Sequence, residues 1–360
     1  MKKVWAKSIS GLLILPLLAQ AEGEWEVTPA SEKAIDRGLE WLARTQGPAG
    51  NWDCNDLGLV SFGALAFMAA GHLPDRGRYG THVRRALDYV VINGKPSGLL
   101  NIAGGRRDMY NHGLTVFVLS QAYGMTNDRR IGKALDRGVK LILDVQCEDG
   151  GWAYEAIRKQ RGADLSLAVM QAKAIRSAMD IGLEIPPDRV DMALQFIRKR
   201  YKNYGQADGI RYGNNPLSEI PGAFTYNGNN SSTAMAAAGP VCLQEFGKYE
   251  DFRIQRSMDR VQYDIDHEME KKLTQGQIPF DAYAMCYVAQ ALYQVGGGRW
   301  KAYYPKVRDA IVNMQAAEAG SEHNGSWGAN GRVGGKTGQL YGTSVAVFAL
   351  AMPNRYLPIL

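Results

Sequence analysis

Cysteine is scarce in this chain, and its spacing excludes the common cysteine-based sites. The 360 residues include four cysteines, Cys54, Cys147, Cys242 and Cys286, and no two of them form a C-x-x-C pair. We therefore expect no metal site and no cofactor. Cys242 and Cys286 lie in apolar stretches typical of a helix core. Cys54 and Cys147 fall in equivalent loops, where an oxidising compartment would allow a disulfide.

A strong excess of one charge is also missing. Lysine and arginine total 42 and aspartate and glutamate total 36, for a formal net charge of +6. Basic and acidic residues alternate along the same segments and form no basic stripe. A protein that neutralises phosphate backbones needs such a stripe, so the sequence argues against a nucleic-acid partner.

Long apolar runs are absent from the sequence, and the amino terminus has only a short one. Basic residues precede an uncharged stretch that ends at Ala19-Gln20-Ala21, and no cysteine follows to carry a lipid anchor. The stretch is too short for a comfortable membrane span, and Pro16 would interrupt it. This order is typical of a cleaved secretory signal peptide.

The sequence therefore predicts a signal peptide at residues 1–21 and a linker at 22–31. A helical repeat region at 32–354 and a short tail at 355–360 follow. Cleavage would leave no membrane span, and the mature chain would be exported to the periplasm or secreted.

Two kinds of helix alternate along the repeat region. One kind is amphipathic, with an apolar stripe and a charged face. The other is nearly free of charge and apolar or small on every side, which suits a helix enclosed by protein. The predicted charged helices are 32–45, 81–91, 129–145, 187–201, 250–273 and 301–315. The predicted uncharged helices are 57–71, 110–123, 164–181, 229–246, 280–295 and 337–352. The period of about 50 residues per pair is that of a helical repeat array.

The last uncharged helix is as apolar as the first. An open stack of hairpins needs polar terminal repeats, and none is visible. The sequence therefore predicts an all-α fold, a single closed α/α toroid of six helical hairpins. The uncharged helices would form the inner ring and the amphipathic helices the outer ring.

Three loops share a Gln…Gly-x-Trp pattern. They contain Gln46 with Trp52, Gln146 with Trp152, and Gln315 with Trp327. Glutamine can cap the outer helix, glycine permits the reversal, and tryptophan can plug the seam between hairpins. These loops resemble the QW repeats of the squalene cyclase and protein prenyltransferase superfamily, whose members are α/α toroids. The resemblance spans the repeat region, although repeats two, four and five lack the tryptophan.

The chemistry that the resemblance implies is not matched by motifs in this chain. Cyclases of this kind protonate their substrate from a D-x-D-D motif, and the nearest match here is Asp53-Cys54-Asn55-Asp56 in a turn. Prenyltransferases hold zinc with one Asp, one Cys and one His at a spacing that this sequence does not reproduce. Neither activity is therefore indicated directly.

Polar residues cluster at the starts of the uncharged helices, which closure would gather at one mouth of the barrel. Capping explains several of them singly. His and Tyr are poor caps, and beside carboxylates they suggest a site able to transfer protons. The candidate catalytic residues are Tyr110, His112, Asp164, Asp281 and Tyr341. The candidate ligand-binding residues are Tyr212, Tyr226, Asn229, Asn230, Ser231 and Tyr283.

Two further features bear on the ligand. Helix dipoles converging at the mouth would favour anionic groups. The long loop at residues 203–228 is either a lid over the mouth or a surface loop that replaces a tryptophan plug.

Two classes of function fit this pattern. The first is a toroid that binds an isoprenoid, a glycan or a protein at its cavity mouth without catalysis, which the missing motifs favour. The second is an enzyme of the same fold that acts on an isoprenoid or a glycan. A lining of Phe, Tyr, Trp and Leu would indicate an isoprenoid, and one of Asp, His, Tyr, Asn and Arg would indicate a glycan or an anion.

Overall fold

The computed structural model describes residues 25–104, 107–204, 211–212, 215–216, 222–229, 231–277, 279–331 and 335–358. The predicted signal peptide and the first residues of the linker lie outside the described residues, as do the last two residues of the tail.

The outer helices bury one stripe each, as their amphipathic sequences predict. In the first, Ile35, Leu39 and Leu42 are buried, and Thr28 forms a capping box with Ser31 at its start. The outer helices are α1 (Pro29–Thr45), α3 (Gly80–Ile92), α5 (Arg129–Asp144), α7 (Pro187–Arg198), α9 (Phe252–Tyr263) and α12 (Gly297–Asn313). After α9 the chain continues through a π-helical segment, Asp264–Met269, into the short helix α10 (Glu270–Thr274).

The inner helices are buried on almost every side. Every residue of the first is buried, and side chains such as those of Asp56 and Ser232 cap the amino-terminal ends. The inner helices are α2 (Leu57–Ala69), α4 (Asp108–Thr126), α6 (Leu165–Asp180), α8 (Thr233–Glu245), α11 (Ala282–Val295) and α13 (Gly335–Ala351).

The inner helices contact one another in cyclic order. Each packs on the next, α2 on α4, α4 on α6, α6 on α8, α8 on α11 and α11 on α13, and α13 packs on α2. Hydrogen bonds also join the ends of the chain, since Arg37 donates to the Ala316 carbonyl at 2.8 Å and the Trp41 indole donates to the Glu322 carbonyl at 2.8 Å. The first and sixth repeats therefore cover each other.

The three tryptophans of the repeated loops are buried in matching positions. Each indole N–H donates to an outer-helix carbonyl of its own repeat, Trp52 to Leu42 at 2.8 Å, Trp152 to Ile142 at 2.9 Å and Trp327 to Ile311 at 2.7 Å. Small residues make room for them: a Cβ on Gly63 would lie 2.8 Å from the Trp52 ring.

The loop glutamines join neighbouring repeats. Each side-chain amide donates to its own loop and to the outer helix of the next repeat. The Gln146 amide donates to the Gly150 and Arg189 carbonyls, both at 3.0 Å, and the Gln315 amide donates to the Gly325 carbonyl at 2.9 Å and the Ala34 carbonyl at 2.8 Å. Gln46 is also the C-cap of α1, where its backbone N–H donates to the Leu42 carbonyl, so the glutamine side chain adds a link across the seam to the expected cap.

Repeat four departs most from the predicted helices. Its outer helix ends at Arg198, and a short strand β1 (Tyr201–Asn203) pairs antiparallel with β4 (Gly222–Phe224). A second short pair joins β2 (Arg211–Tyr212) and β3 (Asn215–Pro216). Phe224 is fully buried against Gly239 of α8, much as Trp52 packs on Gly63. Phe224 therefore plugs this seam without a tryptophan.

Side chains fill the barrel axis near the carboxyl-terminal ends of the inner helices. Phe62 and Phe348 pack with ring centroids 5.7 Å apart. Lys173 lies over the Phe117 ring and pairs with Glu245 at 2.7 Å, with both charged groups buried. A space of about 20 Å³ lies among these side chains.

Candidate functional site

The described residues leave the barrel open at the amino-terminal ends of its inner helices. A cavity of about 670 Å³ lies at the amino-terminal ends of the inner helices, and residues of all six inner helices or their caps line it. Its volume is in the range of small-molecule sites. Five tyrosines face it: Tyr110, Tyr154, Tyr226, Tyr283 and Tyr341.

Four predicted site residues besides Tyr110 line this cavity. Tyr226, Asp281, Tyr283 and Tyr341 are all among its lining residues and come from three different repeats. Asp281 is half-buried, and its carboxylate accepts the Ala284 N–H at 2.8 Å as the cap of α11. Capping and exposure to the cavity thus coexist in one side chain.

Asp164 lies directly behind the tyrosines and organises them. It is 4% exposed and accepts hydrogen bonds from the Tyr154 hydroxyl, the Ser166 hydroxyl and the Leu167 N–H. The Tyr110 hydroxyl bonds to Ser166, and the Tyr154 and Tyr226 hydroxyls are 2.5 Å apart. One buried carboxylate therefore holds three of the five cavity tyrosines, directly or through one hydroxyl.

Backbone hydrogen bonds position Tyr154 and Tyr226 at the mouth. The Met109 N–H at the start of α4 donates to the Tyr154 carbonyl at 3.0 Å, and the Leu165 N–H at the start of α6 donates to the Tyr226 carbonyl at 3.0 Å. Because the first N–H groups of a helix have no intrahelical partner, a loop carbonyl satisfies them. Each loop is thereby fixed to the inner helix of the preceding repeat.

Burial keeps the phenols protonated. It raises the pKa of Tyr110, of Tyr154 and of Tyr226, and the nearby Asp164 raises each of them further. These hydroxyls therefore act as neutral groups at physiological pH.

His112 is not part of the cavity, which corrects its prediction as a catalytic group. It is fully buried, its Nδ1 accepts the Leu100 N–H at 3.0 Å, and its Nε2 donates to the Gly138 carbonyl at 2.9 Å. Burial lowers its pKa to about 4, so the ring is neutral. The imidazole sits against Gly138 as the Trp327 ring sits against Gly38, so His112 fills a seam that lacks a tryptophan.

Two further predicted ligand-binding residues, Asn229 and Ser231, are not among the residues that line the cavity. Asn229 is exposed, and the Ser231 hydroxyl donates to the Phe224 carbonyl at 2.9 Å. Asn230 lies outside the described residues, as do the side chain of Tyr212 and much of the long loop at residues 203–228.

Sequence reasoning missed several lining residues. Asp56 caps α2 and accepts the Leu59 N–H at 3.2 Å, while burial raises the pKa of its carboxyl despite Arg107 at 4.0 Å. Asn111 and Tyr154 also face the cavity. The signal for Asp56 was its place one residue before an uncharged helix, which equals that of Asp164 and Asp281. Tyr154 follows Trp152 by two residues, as Tyr226 follows Phe224.

The charge of the cavity lining does not match the preference for anions that the helix dipoles predict. Capping side chains already occupy the amino-terminal ends of four inner helices, and three of these caps are carboxylates, Asp56, Asp164 and Asp281. Among the described residues, Arg107 is the one cation that lines the cavity. The described wall therefore favours neutral or positively charged ligands.

Neither a metal site nor a membrane span is found in the described parts of the chain. No group of three His, Cys, Asp or Glu side chains there is arranged to hold a metal ion. No described helix is long and apolar enough to cross a membrane. The four cysteines are buried and unbridged.

Solved structures with this fold include enzymes for two kinds of substrate. The chain is similar to an inactive variant of the α-1,6-mannanase GH76A of Salegentibacter sp. HEL1_6 in complex with α-1,6-mannotriose, with TM-score 0.56, 11% identity, and coverage of 92% of this chain and 100% of that one. It is also similar to the type II terpene cyclase MstE from Scytonema, with TM-score 0.57, 13% identity, and coverage of 92% and 100%. An α-amylase from Clostridium perfringens gives TM-score 0.56, 12% identity, and coverage of 89% and 97%.

These likenesses establish the class of fold. The chain is an all-helical α/α toroid, as its sequence predicts, and the suspected likeness to the squalene cyclase-type toroids fits. No protein-family model matches it, and no curated protein sequence matches it.

Proposed function

We propose that the cavity binds a carbohydrate, of the size of one sugar to a short oligosaccharide. The observation that carries this proposal is the lining itself: five tyrosines and two carboxylates, with an arginine and an asparagine beside them. Tyrosine rings stack on sugar faces, and carboxylates and amides pair with sugar hydroxyls.

The cost of desolvation argues against an isoprenoid. A hydrocarbon chain in this cavity would strip water from the carboxyl groups of Asp56 and Asp281 and would return no hydrogen bonds. Each buried polar group left unpaired costs roughly 1–3 kcal/mol, and more if it is charged. Apolar contacts with Leu114 and Met170 on the same wall would offset only part of that sum. The hydroxyl groups of a polyhydroxylated ligand would replace the lost water as hydrogen-bond partners.

The comparisons support both of the ligand classes that the fold allows. A mannanase and an amylase act on glycans, and a terpene cyclase acts on an isoprenoid. The tyrosine hydroxyls and the two carboxyl groups of this mixed lining are what favour the glycan here.

Titration with neutral trisaccharides of mannose and glucose, read by tyrosine fluorescence or calorimetry, tests the proposal. We expect binding of at least one sugar and its loss in the variant Tyr110→Ala with Tyr341→Ala. The matched control is Tyr249→Ala, since Tyr249 is an exposed tyrosine outside the cavity. Tight binding of geranylgeraniol with no binding of any sugar would reject the carbohydrate proposal.

A second candidate is cleavage of a glycosidic bond in the same cavity. Its specific support is Asp56, a carboxyl whose pKa is raised by burial and which faces the same space as Asp281. Such a pair can act as glycosidases do: one carboxyl protonates the leaving oxygen, and the other assists attack at the anomeric carbon, so that water is added across the bond.

Mass spectrometry of oligosaccharide incubations tests this candidate. Asp56→Asn keeps the capping ability of the side chain and removes the transferable proton. We expect products with the unaltered chain and none with Asp56→Asn. Intact oligosaccharides in both samples, together with measurable binding, would leave a binding protein.

We also propose that the mature chain is exported and begins at Glu22. Amino-terminal sequencing of the protein from its native host tests this. Retention of residues 1–21 in the purified protein would contradict it.

A further inference from the structure

The cavity wall around Asp164 is defined here as the tyrosine wall: Tyr110, Tyr154 and Tyr226, with Ser166 between them. The direction of each hydrogen bond in it can be assigned. Tyr154 and Ser166 donate to the two oxygens of Asp164, because a carboxylate only accepts. A hydroxyl has one proton, so neither of these two can donate again.

The outer members of the wall must therefore donate inward. Tyr110 donates to Ser166, and Tyr226 donates to Tyr154, because those two partners have already used their protons. Tyr283 donates to the Ser166 carbonyl at 3.3 Å. Four of the five cavity tyrosines thus donate their hydroxyl protons to groups of the protein. Toward a ligand, these hydroxyls can act only as hydrogen-bond acceptors.

The rest of the described lining adds more acceptors than donors. Asp281 and Asp56 present carboxyl oxygens to the cavity. On the donor side, the lining includes Arg107, whose guanidinium is largely exposed, and the hydroxyls of Tyr341 and Ser232, while the Asn111 amide donates to Asn101 at 2.8 Å. Among the described residues, the cavity therefore has more acceptors than donors, and two carboxyl groups against one guanidinium.

A ligand matched to this wall must supply the donors and the positive charge. A neutral sugar hydroxyl gives one proton, whereas an ammonium group gives three donors and a charge that phenol rings and carboxylates both attract. Burial raises the pKa of Asp56, and Arg107, at 4.0 Å, only partly offsets that rise. An ammonium group beside Asp56 would stabilise the charged form of this carboxyl.

We infer that the carbohydrate bound in this cavity is an amino sugar with a free, protonated amine, seated between the tyrosine wall and Asp281. This inference rests on the proposed carbohydrate function and narrows its ligand class. N-acetylated, neutral and acidic sugars would bind more weakly, because each lacks the positive charge or the extra donors of the ammonium group.

Matched pairs of monosaccharides test the inference without any assumption about linkage. We would titrate glucosamine against glucose, galactosamine against galactose, and mannosamine against mannose, each by NMR at a pH where the amine is charged. At least one amine is expected to bind about tenfold more tightly than its partner. N-acetylation should remove that advantage.

The outcomes separate the two proposals. Equal affinities within every pair would overturn the amine inference and leave carbohydrate binding in place. No binding of any monosaccharide or of the neutral trisaccharides would overturn both.

A charge-removing variant assigns the preference to the cavity. Asp281→Asn keeps an N-cap at α11 and removes a lining carboxylate. We expect the amine-to-neutral affinity ratio to fall at least threefold. The control is Asp128→Asn, which removes the same charge from the N-cap of the outer helix α5 and should leave the ratio unchanged. An unchanged ratio in Asp281→Asn, or an equal fall in both variants, would overturn the assignment to this wall.

Discussion

The seams between hairpins and the mouth of the barrel differ in how deeply their aromatic residues are buried. At a seam, Trp152 is 1% exposed, its indole N–H is bonded, and Gln146 closes the gap to the next outer helix. At the mouth, Tyr154 and Tyr226 are only partly buried, and both line the cavity. In repeats three and four, the residue that fills the seam and the tyrosine that lines the cavity are two positions apart in one loop: Trp152 and Tyr154, and Phe224 and Tyr226. Each of these two loops therefore fills a seam and also contributes a tyrosine to the cavity wall.

The comparison shows which sequence signals report structure and which report function. Trp52, Trp152 and Trp327 recur in register, and their indole N–H groups are already bonded within the protein, so they stabilise the ring. Asp56 and Tyr226 also have equivalents in other repeats, but they line the cavity.

The largest expected effect is at a seam. Trp152→Ala should lower the free energy of unfolding by roughly 3–5 kcal/mol, because it empties a large aromatic site and leaves the Ile142 carbonyl without its donor. Denaturant titration measures this, with Tyr249→Ala as an exposed control. A similar loss in both variants would contradict the plug role.

The next effect is a pH dependence at the His112 seam. Its folded pKa of about 4 is below the unfolded value of 6.5, so the folded state favours the neutral ring. The stabilisation is fully present above pH 6.5 and is lost as the pH falls toward 4, by about 3 kcal/mol. Stability measured at pH 7 and pH 4.5 should fall less in His112→Gln than in the unaltered chain. Parallel losses in the two would show that His112 does not titrate as its burial requires.

A smaller effect is expected at the mouth. Tyr154→Phe removes the donor to Asp164 and the acceptor for Tyr226, but water from the cavity can replace both. We expect a loss of about 1 kcal/mol in unfolding free energy, with a larger effect on ligand affinity. A loss as large as that of Trp152→Ala would show that the tyrosine wall is structural and not a site.

The smallest effect on stability is expected for Asp281→Asn. Asparagine caps a helix about as well as aspartate, so the unfolding free energy should change by less than about 0.5 kcal/mol. Thermal unfolding checks this directly. A marked loss of stability would assign Asp281 to the fold and weaken its role in ligand selection.

Most of the architecture could be predicted from the sequence because it follows from periodicity. Alternating amphipathic and uncharged helices gave the two rings, and the apolar last helix predicted that repeats one and six meet. The strands β1 and β4 could not be predicted, because they are short and their pairing depends on a distant partner.

The site was predicted in part. Tyr110, Tyr283 and Tyr341 were found because residues near the start of an inner helix reach the mouth. His112 was misplaced because one step in helical register turns a side chain from the cavity into a seam. Tyr154 was missed because its position depends on a loop whose conformation no local pattern encodes.

The contacts that join repeats one and six have a consequence for folding order. Arg37 bonds to Ala316, 279 residues later, and Gln315 bonds back to Ala34. Contacts of such separation form late, since the chain between them must be ordered first. During synthesis the apolar flank of the first hairpin thus stays exposed until the last hairpin has been made. A circular permutant that joins these two hairpins in sequence should therefore fold faster than the natural chain.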